Sequence, residues 1–401
     1  MDGANLGTSP HRPSGAPLRV ALITGSYNYI RDGVALTLNR LVAYLLGKGV
    51  EVRIFAPVGP VPALAHEGEL VPVPSLAIPF RPEYRIALGL PFATRETLTA
   101  FAPDILHLAT PDILGHRALR LGQRMGWPIV ASYHTRYDTY LKHYHLDLLY
   151  PVAQRLQRDF YGACLEVFVP SQSMVEALEA DGVTTTFRIW PRGVDTRRFD
   201  PAKRSLAWRA ARGLGEGELA IAFVSRLVKE KRLDDFVAVV TRLKAAGVRC
   251  RPVIVGDGPE RASLQRRLPD GVFEGFLLGD DLAVAYASAD LFVFPSDTET
   301  FGSVTLEAMA SGLPALCADA TGSRSLVLDG ITGFLAPAGD QAALARRALE
   351  LATDEPLRRR MGAAGRERSL EFSWDAAMAG VLMRYQAIAG GERPLRKAPD
   401  R

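Results

Sequence analysis

Cysteine is scarce in this chain. Its 401 residues include three, Cys164, Cys250 and Cys317, far apart and in apolar or strand-like settings. That spacing excludes a disulfide framework and a cysteine-based metal site, and it fits buried thiols in a reducing cytoplasm. Also missing is any apolar run of eighteen or more residues, so no membrane span is expected. Charge of one sign is not in excess: 48 Lys and Arg stand against 44 Asp and Glu, a net charge of +4. Neither half of the chain is the polycation that nucleic-acid binding requires. Residues 1–17 are polar, rich in Gly, Pro and Ser, and without an apolar stretch, which predicts a disordered tail rather than a signal peptide.

A hydrophobic content of 48% with 23% charged residues is that of an ordinary globular protein, and the length suffices for two domains with separate cores. Residues 18–25 form a β-type run. Val34, Leu38, Leu41, Val42 and Leu45 then recur at helical spacing, and 50–55 reads as a second strand. Strand-like runs return at 104–110, 128–135, 165–170 and 186–190, separated by helical patterns such as 115–125. The pattern restarts at 219–225. It continues through helix 234–246, strand 251–255, helix 258–268, strand 272–276, helix 281–289 and strands 291–294 and 314–318, with further helices from Gln341 to Ala387. Such alternation predicts parallel sheets covered by helices on both faces. The Arg- and Pro-rich stretch 191–214 has no sheet pattern and reads as the linker. The expected layout is an N-terminal domain over 18–195, a C-terminal domain over 196–372, a terminal helix over 373–390 and a tail over 391–401. Ligands of doubly wound domains bind beyond the carboxyl ends of the strands.

Glu299 and Glu307 are the most informative pair. They flank Phe301, Gly302, Ser303 and Val304, between the apolar strand 291–294 and a stretch of helical character. Backbone N–H groups at a helix start attract phosphate. Carboxylates beside a phosphate site are better suited to sugar hydroxyls, so the loop points to a nucleotide-sugar. An acidic pair at this spacing is weak evidence by itself, since Glu299 capping a loop and Glu307 facing solvent would give the same letters.

Together with Ser311, Gly312, Leu313 and Pro314, this segment resembles the paired-glutamate motif of the family 4 retaining glycosyltransferases, whose GT-B architecture has two doubly wound Rossmann-like domains facing across a cleft. The resemblance implies that the terminal helix crosses back to the N-terminal domain. It also implies that Arg226 and Lys231 hold the donor diphosphate, where two fixed cations can stabilise the leaving charge in place of a metal. No cofactor and no metal are expected. No Asp-x-Asp stands at a strand end, and Asp280 and Asp281 begin a helix. Gly256 and Gly258 match the turn that approaches the nucleotide, with Phe276 and Leu277 either near the base or, for Phe276, in the core. Glu307 is assigned to the ribose hydroxyls, as a carboxylate can accept two hydrogen bonds from a cis-diol. Glu299 is assigned to the sugar and phosphate neighbourhood, and Phe301, Gly302, Ser303 and Val304 count as donor contacts. Residues 320–325 depart from the family's usual run of Gly-Gly and Pro, which leaves the donor sugar open.

On the other side, the loop 26–33 is aromatic and ends in Gly33. Gly33 either lets a diphosphate approach the helix start or simply follows the cap Asp32. Tyr27, Arg31, Tyr137 and Tyr140 are the expected acceptor-side residues. His134 ends the strand 129–133 in the setting Ser132, Tyr133, His134, Thr135, which resembles members that glycosylate lipids; there the histidine lies beside the transferred sugar. His143 and His145 lack acidic neighbours at metal-ligand spacing and read as surface or acceptor-loop residues. Over 104–334 the match is to the branch of sulfolipid synthases and lipid mannosyl- and glucosyltransferases. The implied reaction moves a hexose from GDP-mannose or a UDP-hexose to a glycolipid or diacylglycerol. The enzyme would meet that lipid from the cytoplasm, peripherally on the inner face of the plasma membrane. A soluble or polysaccharide acceptor, an epimerase of the same fold and a non-catalytic nucleotide-sugar-binding protein are the alternatives.

Overall fold

The computed structural model describes residues 16–78, 81–134 and 150–392. They pack as two compact units. The first holds the described residues through Pro170, together with Val175–Trp190 and those from Asp375 onward; the second holds Ser171–Met174 and Pro191–Trp374. The two sequence-expected tails lie largely outside the described residues.

In the first unit the strands are β1 (Arg19–Ile23), β2 (Glu51–Pro57), β3 (Glu69–Val73), β4 (Ser75–Ile78), β5 (Arg81–Ala87), β6 (Ile105–Leu108), β7 (Ile129–Ser132), β8 (Glu166–Val169) and β9 (Thr186–Ile189). Seven of them form a parallel sheet in the order β3-β2-β1-β6-β7-β8-β9, while β4 and β5 pair as an antiparallel hairpin. The chain reverses its direction of travel at β1, which pairs with both β2 and β6. Four-residue runs such as Ile105–Leu108 and Ile129–Ser132 are buried throughout, as strands covered on both faces must be.

The second unit contains β10 (Leu219–Val224), β11 (Cys250–Val255), β12 (Val272–Gly275), β13 (Leu291–Phe294), β14 (Ala315–Ala318) and β15 (Gly333–Ala336). They form a parallel sheet in the order β12-β11-β10-β13-β14-β15, again reversing at its first strand. Phe223, Phe292 and Phe294 are fully buried in its core, each such side chain contributing ~1.5–3 kcal/mol. Cys164, Cys250 and Cys317 are buried free thiols. Burial pushes Cys164 and Cys317 up to about 12 and Cys250 to about 11, so all three stay protonated.

Several elements escape the periodicity. The edge strand β3 carries Pro72, which is tolerated at an edge and hides the strand pattern. Stretch 191–214 contains no strand, but it is docked rather than loose. Helix Leu206–Ala211 buries Arg209, whose guanidinium donates to the Ser288 carbonyl at 2.8 Å and to Asp290 at 2.9 Å. Helix Trp374–Ala389 packs within the first unit. There Arg384 pairs with the fully buried Glu166 of β8 at 2.6 Å, and Arg188 of β9 pairs with the same carboxylate at 2.9 Å.

Candidate active site

Each sheet offers its carboxyl edge at the point where strand order reverses, which is where ligands bind in doubly wound folds. In the second unit that point lies between β10 and β13. The loop after β10 carries Arg226 and then a 3-10 turn, Lys229–Lys231; the loop after β13 carries Asp297 and Glu299. Lys231 Nζ donates to Glu299 Oε1, joining the two loops, with 11% and 23% of the respective side chains exposed. The Glu299 backbone is held from the other side. Its carbonyl accepts from Gly322 N at 3.0 Å and from Thr321 Oγ1 at 2.9 Å. A Cβ on Gly322 would stand 2.7 Å from the Glu299 Cβ, so a glycine is required there. The departing loop at 320–325 thus forms a short helix, Thr321–Leu326, that fixes Glu299.

Arg232, the residue after the Lys229–Lys231 turn, is a second brace. It sits in the left-handed region at φ 54°, a conformation costing a non-glycine residue about 1–2 kcal/mol. Its guanidinium donates to Asp235 at 2.7 Å and to Asp297 at 3.2 Å, so it ties the β10 loop to the β13 loop as Lys231 does. Gly256 and Gly258 are left-handed, at φ 129° and 156°, and serve this same assembly. A Cβ at Gly256 would lie 1.8 Å from the Ser225 carbonyl oxygen, and one at Gly258 2.4 Å from that of Leu227. Leu227 N donates to the Asp257 carbonyl at 2.8 Å. The glycines let the turn after β11 close directly onto the Arg226 loop.

Helix Ser303–Ala310 follows. Gly302 occupies its N-cap at φ 92°, and no side chain caps it. Ser303 and Val304 form its half-buried first turn. Phe301 corrects the expectation of a donor contact: its ring is 1% exposed and meets Phe372 edge-on at 6.0 Å, so it anchors the turn from within the core. Glu307 lies one turn on, half-buried, and Oε2 accepts from the Tyr286 hydroxyl at 3.2 Å. Tyr286 is fully buried, and burial together with the Glu307 charge holds its phenol protonated. Nothing in the spacing marks Tyr286, because its strand-helix register resembles any core tyrosine. Phe276 settles the other way from a core role: it is 69% exposed.

In the first unit the reversal lies between β1 and β6. Asp32 caps the helix Gly33–Gly47, accepting from Ala35 N at 2.8 Å, and a Cβ on Gly33 would meet open space. Arg31 is exposed. Tyr27 is a correction: it is fully buried and its hydroxyl donates to the Glu67 carbonyl at 2.7 Å, so it holds the loop instead of presenting to an acceptor. Gly25 N donates to Thr110 Oγ1 at 2.8 Å, and Thr110 Oγ1 donates to Asp112, the cap of helix Ile113–Met125, at 3.0 Å. Burial holds the Asp112 carboxyl above the usual carboxylate range. His134, half-buried beyond β7, has its Nε2 2.8 Å from Ser132 Oγ and its ring edge-on to Trp190 at 5.6 Å. Tyr137, Tyr140, His143 and His145 lie outside the described residues. Among the described residues, no group of three His, Cys, Asp or Glu side chains is placed to hold a metal. No helix among them is long and apolar enough to cross a membrane.

Two family models match in tandem, Glycosyltransferase Family 4 over residues 31–198 and Glycosyl transferases group 1 over residues 205–368. A GDP-mannose-dependent alpha-mannosyltransferase of Mycobacterium tuberculosis is 35% identical over 93% of this chain and 97% of its own. Sulfoquinovosyl transferase SQD2 of Arabidopsis thaliana is 32% identical over 90% of this chain and 72% of its own. Among solved structures, a sucrose-phosphate synthase from Thermosynechococcus elongatus superposes with a TM-score of 0.74 at 22% identity, covering 94% of this chain and 100% of that one. With its two parallel Rossmann-like sheets and its match to both halves of the family, the chain belongs to the family 4, group 1 glycosyltransferases and is a nucleotide-sugar glycosyltransferase of GT-B fold.

Proposed function

We propose that the protein transfers a hexose from a nucleoside-diphosphate sugar, GDP-mannose or a UDP-hexose, to a membrane lipid, with retention at the anomeric carbon. The observation that carries the donor half is the Lys231–Glu299 pair above the uncapped helix start at Gly302. Arg226 and Lys231 take the diphosphate, and the N–H groups of Ser303 and Val304 add the partial positive charge of a helix N-terminus. Glu299 exchanges its lysine partner for sugar hydroxyls, while Glu307, steadied by Tyr286, accepts from the ribose diol. Cleavage of the sugar–phosphate bond builds negative charge on the leaving oxygen. The largely buried Lys231 and the exposed Arg226 of the same loop stabilise that charge, so no metal is required. Double displacement would call for a nucleophilic carboxylate with a partner ~5 Å away. The same-face route instead has the departing phosphate oxygen take the proton of the attacking hydroxyl, with His134 orienting groups and stabilising charge beside the transferred sugar.

The lipid half is supported by a further relative, a GDP-mannose-dependent alpha-(1-6)-phosphatidylinositol dimannoside mannosyltransferase of Mycobacterium tuberculosis, 30% identical over 94% of this chain and 98% of its own, and by one surface of the first unit. Leu76 and Ile86 face each other across the β4–β5 hairpin, both exposed. Leu88, Phe92 and Ile113 are exposed beside them, with the Arg95 guanidinium over the Phe92 ring at 5.3 Å. Arg117, Arg120 and Arg124 line the same side of the helix that begins at Ile113. Exposed apolar side chains with Arg95 and Arg117 near them suit an anionic bilayer interface.

A panel of UDP- and GDP-sugars offered with lipid extracts is the test. The expected result is release of nucleoside diphosphate coupled to one glycolipid whose anomeric configuration, read by NMR, equals that of the donor. Inverted product would overturn retention, and exclusive labelling of a soluble acceptor would overturn the lipid assignment.

A further inference from the structure

Behind His134 a chain of hydrogen bonds runs into the core of the first unit. His134 Nε2 lies 2.8 Å from Ser132 Oγ at the end of β7. The same hydroxyl lies 2.8 Å from Nε2 of His107 on β6, and His107 Nδ1 meets the hydroxyl of Tyr385 on the terminal helix. Ser132, His107 and Tyr385 are each fully buried. We infer that Tyr385, His107 and Ser132 are positioning residues that together set the tautomer of His134, leaving its proton on Nδ1.

The direction follows from counting hydrogens. Burial drives the His107 pKa down to about 3, so its ring is neutral and carries one N–H. In one direction Tyr385 donates to His107 Nδ1, His107 Nε2–H donates to Ser132 Oγ, and Ser132 O–H donates to His134 Nε2. Every group is then satisfied. In the reverse direction His107 Nδ1–H donates to Tyr385, whose own hydrogen needs another acceptor. Among the described residues the Tyr385 hydroxyl has none besides His107. A buried hydroxyl hydrogen without an acceptor is disfavoured, so the chain runs outward from Tyr385 to His134. The Nε2 lone pair of His134 is thereby engaged by Ser132, and the ring offers Nδ1–H as a donor. That suits a histidine that orients and stabilises oxygen atoms and not one that removes a proton, in agreement with a leaving phosphate as the base.

The effect on rate rests on the proposed role of His134; the tautomer does not. Histidine-selective 15N labelling of the full chain, with the His134 signal assigned from His134→Gln, reads the tautomer directly. The wild type should show His134 protonated on Nδ1 and bare on Nε2. Tyr385→Phe keeps the ring and removes the donor, and Ser132→Ala cuts the link; in both, His134 should shift towards a mixture of tautomers. With GDP- or UDP-sugar turnover as the second reading, each variant should lose about tenfold in kcat with donor KM within about twofold. The double variant should be no worse than either single one, because the chain acts as a unit. A wild-type His134 protonated on Nε2, or a tautomer unmoved in Tyr385→Phe, overturns the inference. Should Ser132→Ala unfold, the near-isosteric Tyr385→Phe carries the test alone. If His134→Gln turns over like wild type while the tautomer behaves as stated, the chain stands and the role of His134 in transfer falls.

Discussion

Lys231 and Glu299, sixty-eight positions apart, are joined as an ion pair across the reversal point of the second sheet. The pair holds a cation and a carboxylate on neighbouring loops, and in the proposed reaction a donor would separate them, the diphosphate taking Lys231 and the sugar taking Glu299. Lys231→Ala is expected to lower kcat by ~10²–10³, the usual loss for one fixed donor to a developing oxyanion. Arg226→Ala should lose at least tenfold. Far-UV circular dichroism should stay native in both, and wild-type turnover in either would remove that residue from the leaving-group site.

Tyr286→Phe deletes the hydroxyl that reaches Glu307 Oε2 without changing the packing of the ring. If Glu307 serves the ribose, donor KM should rise several-fold while kcat stays nearly unchanged. The Tyr286 hydroxyl also donates to the Val304 carbonyl at 3.1 Å, so the melting temperature should fall by what ~1.5–3 kcal/mol of stability implies. Steady-state kinetics with the donor varied at saturating acceptor separates the two parameters.

His107 predicts an acid limit. Its folded pKa of about 3 lies below the unfolded 6.5, so the unfolded chain binds the extra proton in between. The stabilisation is therefore complete above pH 6.5 and is lost as pH falls towards 3. The slope approaches ~1.4 kcal/mol per pH unit well below 6.5. Urea titrations between pH 7 and pH 4 should show this loss, and His107→Gln should flatten it.

If Arg226 and Lys231 take the place a divalent ion holds in metal-held diphosphate sites, as proposed, chelation should leave turnover intact. Product formation in excess EDTA is the measurement. Complete loss, restored by Mg2+ or Mn2+, would contradict the site.

Vesicle sedimentation tests the surface formed by Leu76, Ile86, Leu88, Phe92 and the arginines of helix Ile113–Met125. Binding to anionic vesicles should exceed binding to neutral ones and weaken with salt. Replacing Arg117, Arg120 and Arg124 with Ala should cost ~1 kcal/mol for each charge near the bilayer.

Alternation of apolar runs with helical spacing was enough to reveal two parallel, doubly wound sheets, because strands buried on both faces are continuous in Val, Ile, Leu and Phe. Glu299, Glu307, Arg226 and Lys231 stood out as candidates for a similar reason: loops at the carboxyl ends of such strands hold their chemistry in short contiguous motifs. What neighbours those motifs was decided by tertiary structure. Tyr27 and Phe301 read as ligand contacts by position, yet packing turned both into the core, since an aromatic ring in a loop is buried wherever the layers leave room. Tyr286, Arg232 and Gly322 gave no local signal, because each acts on a residue brought near by folding. Tyr385 lies 278 positions from His107, and no spacing rule spans that distance. Residue types and periodicity determined which candidate groups this protein sets in the loops at its sheet edges. Only the closing of the sheets decided which of them touch, because a buried polar atom must take its partner from whatever element lies beside it.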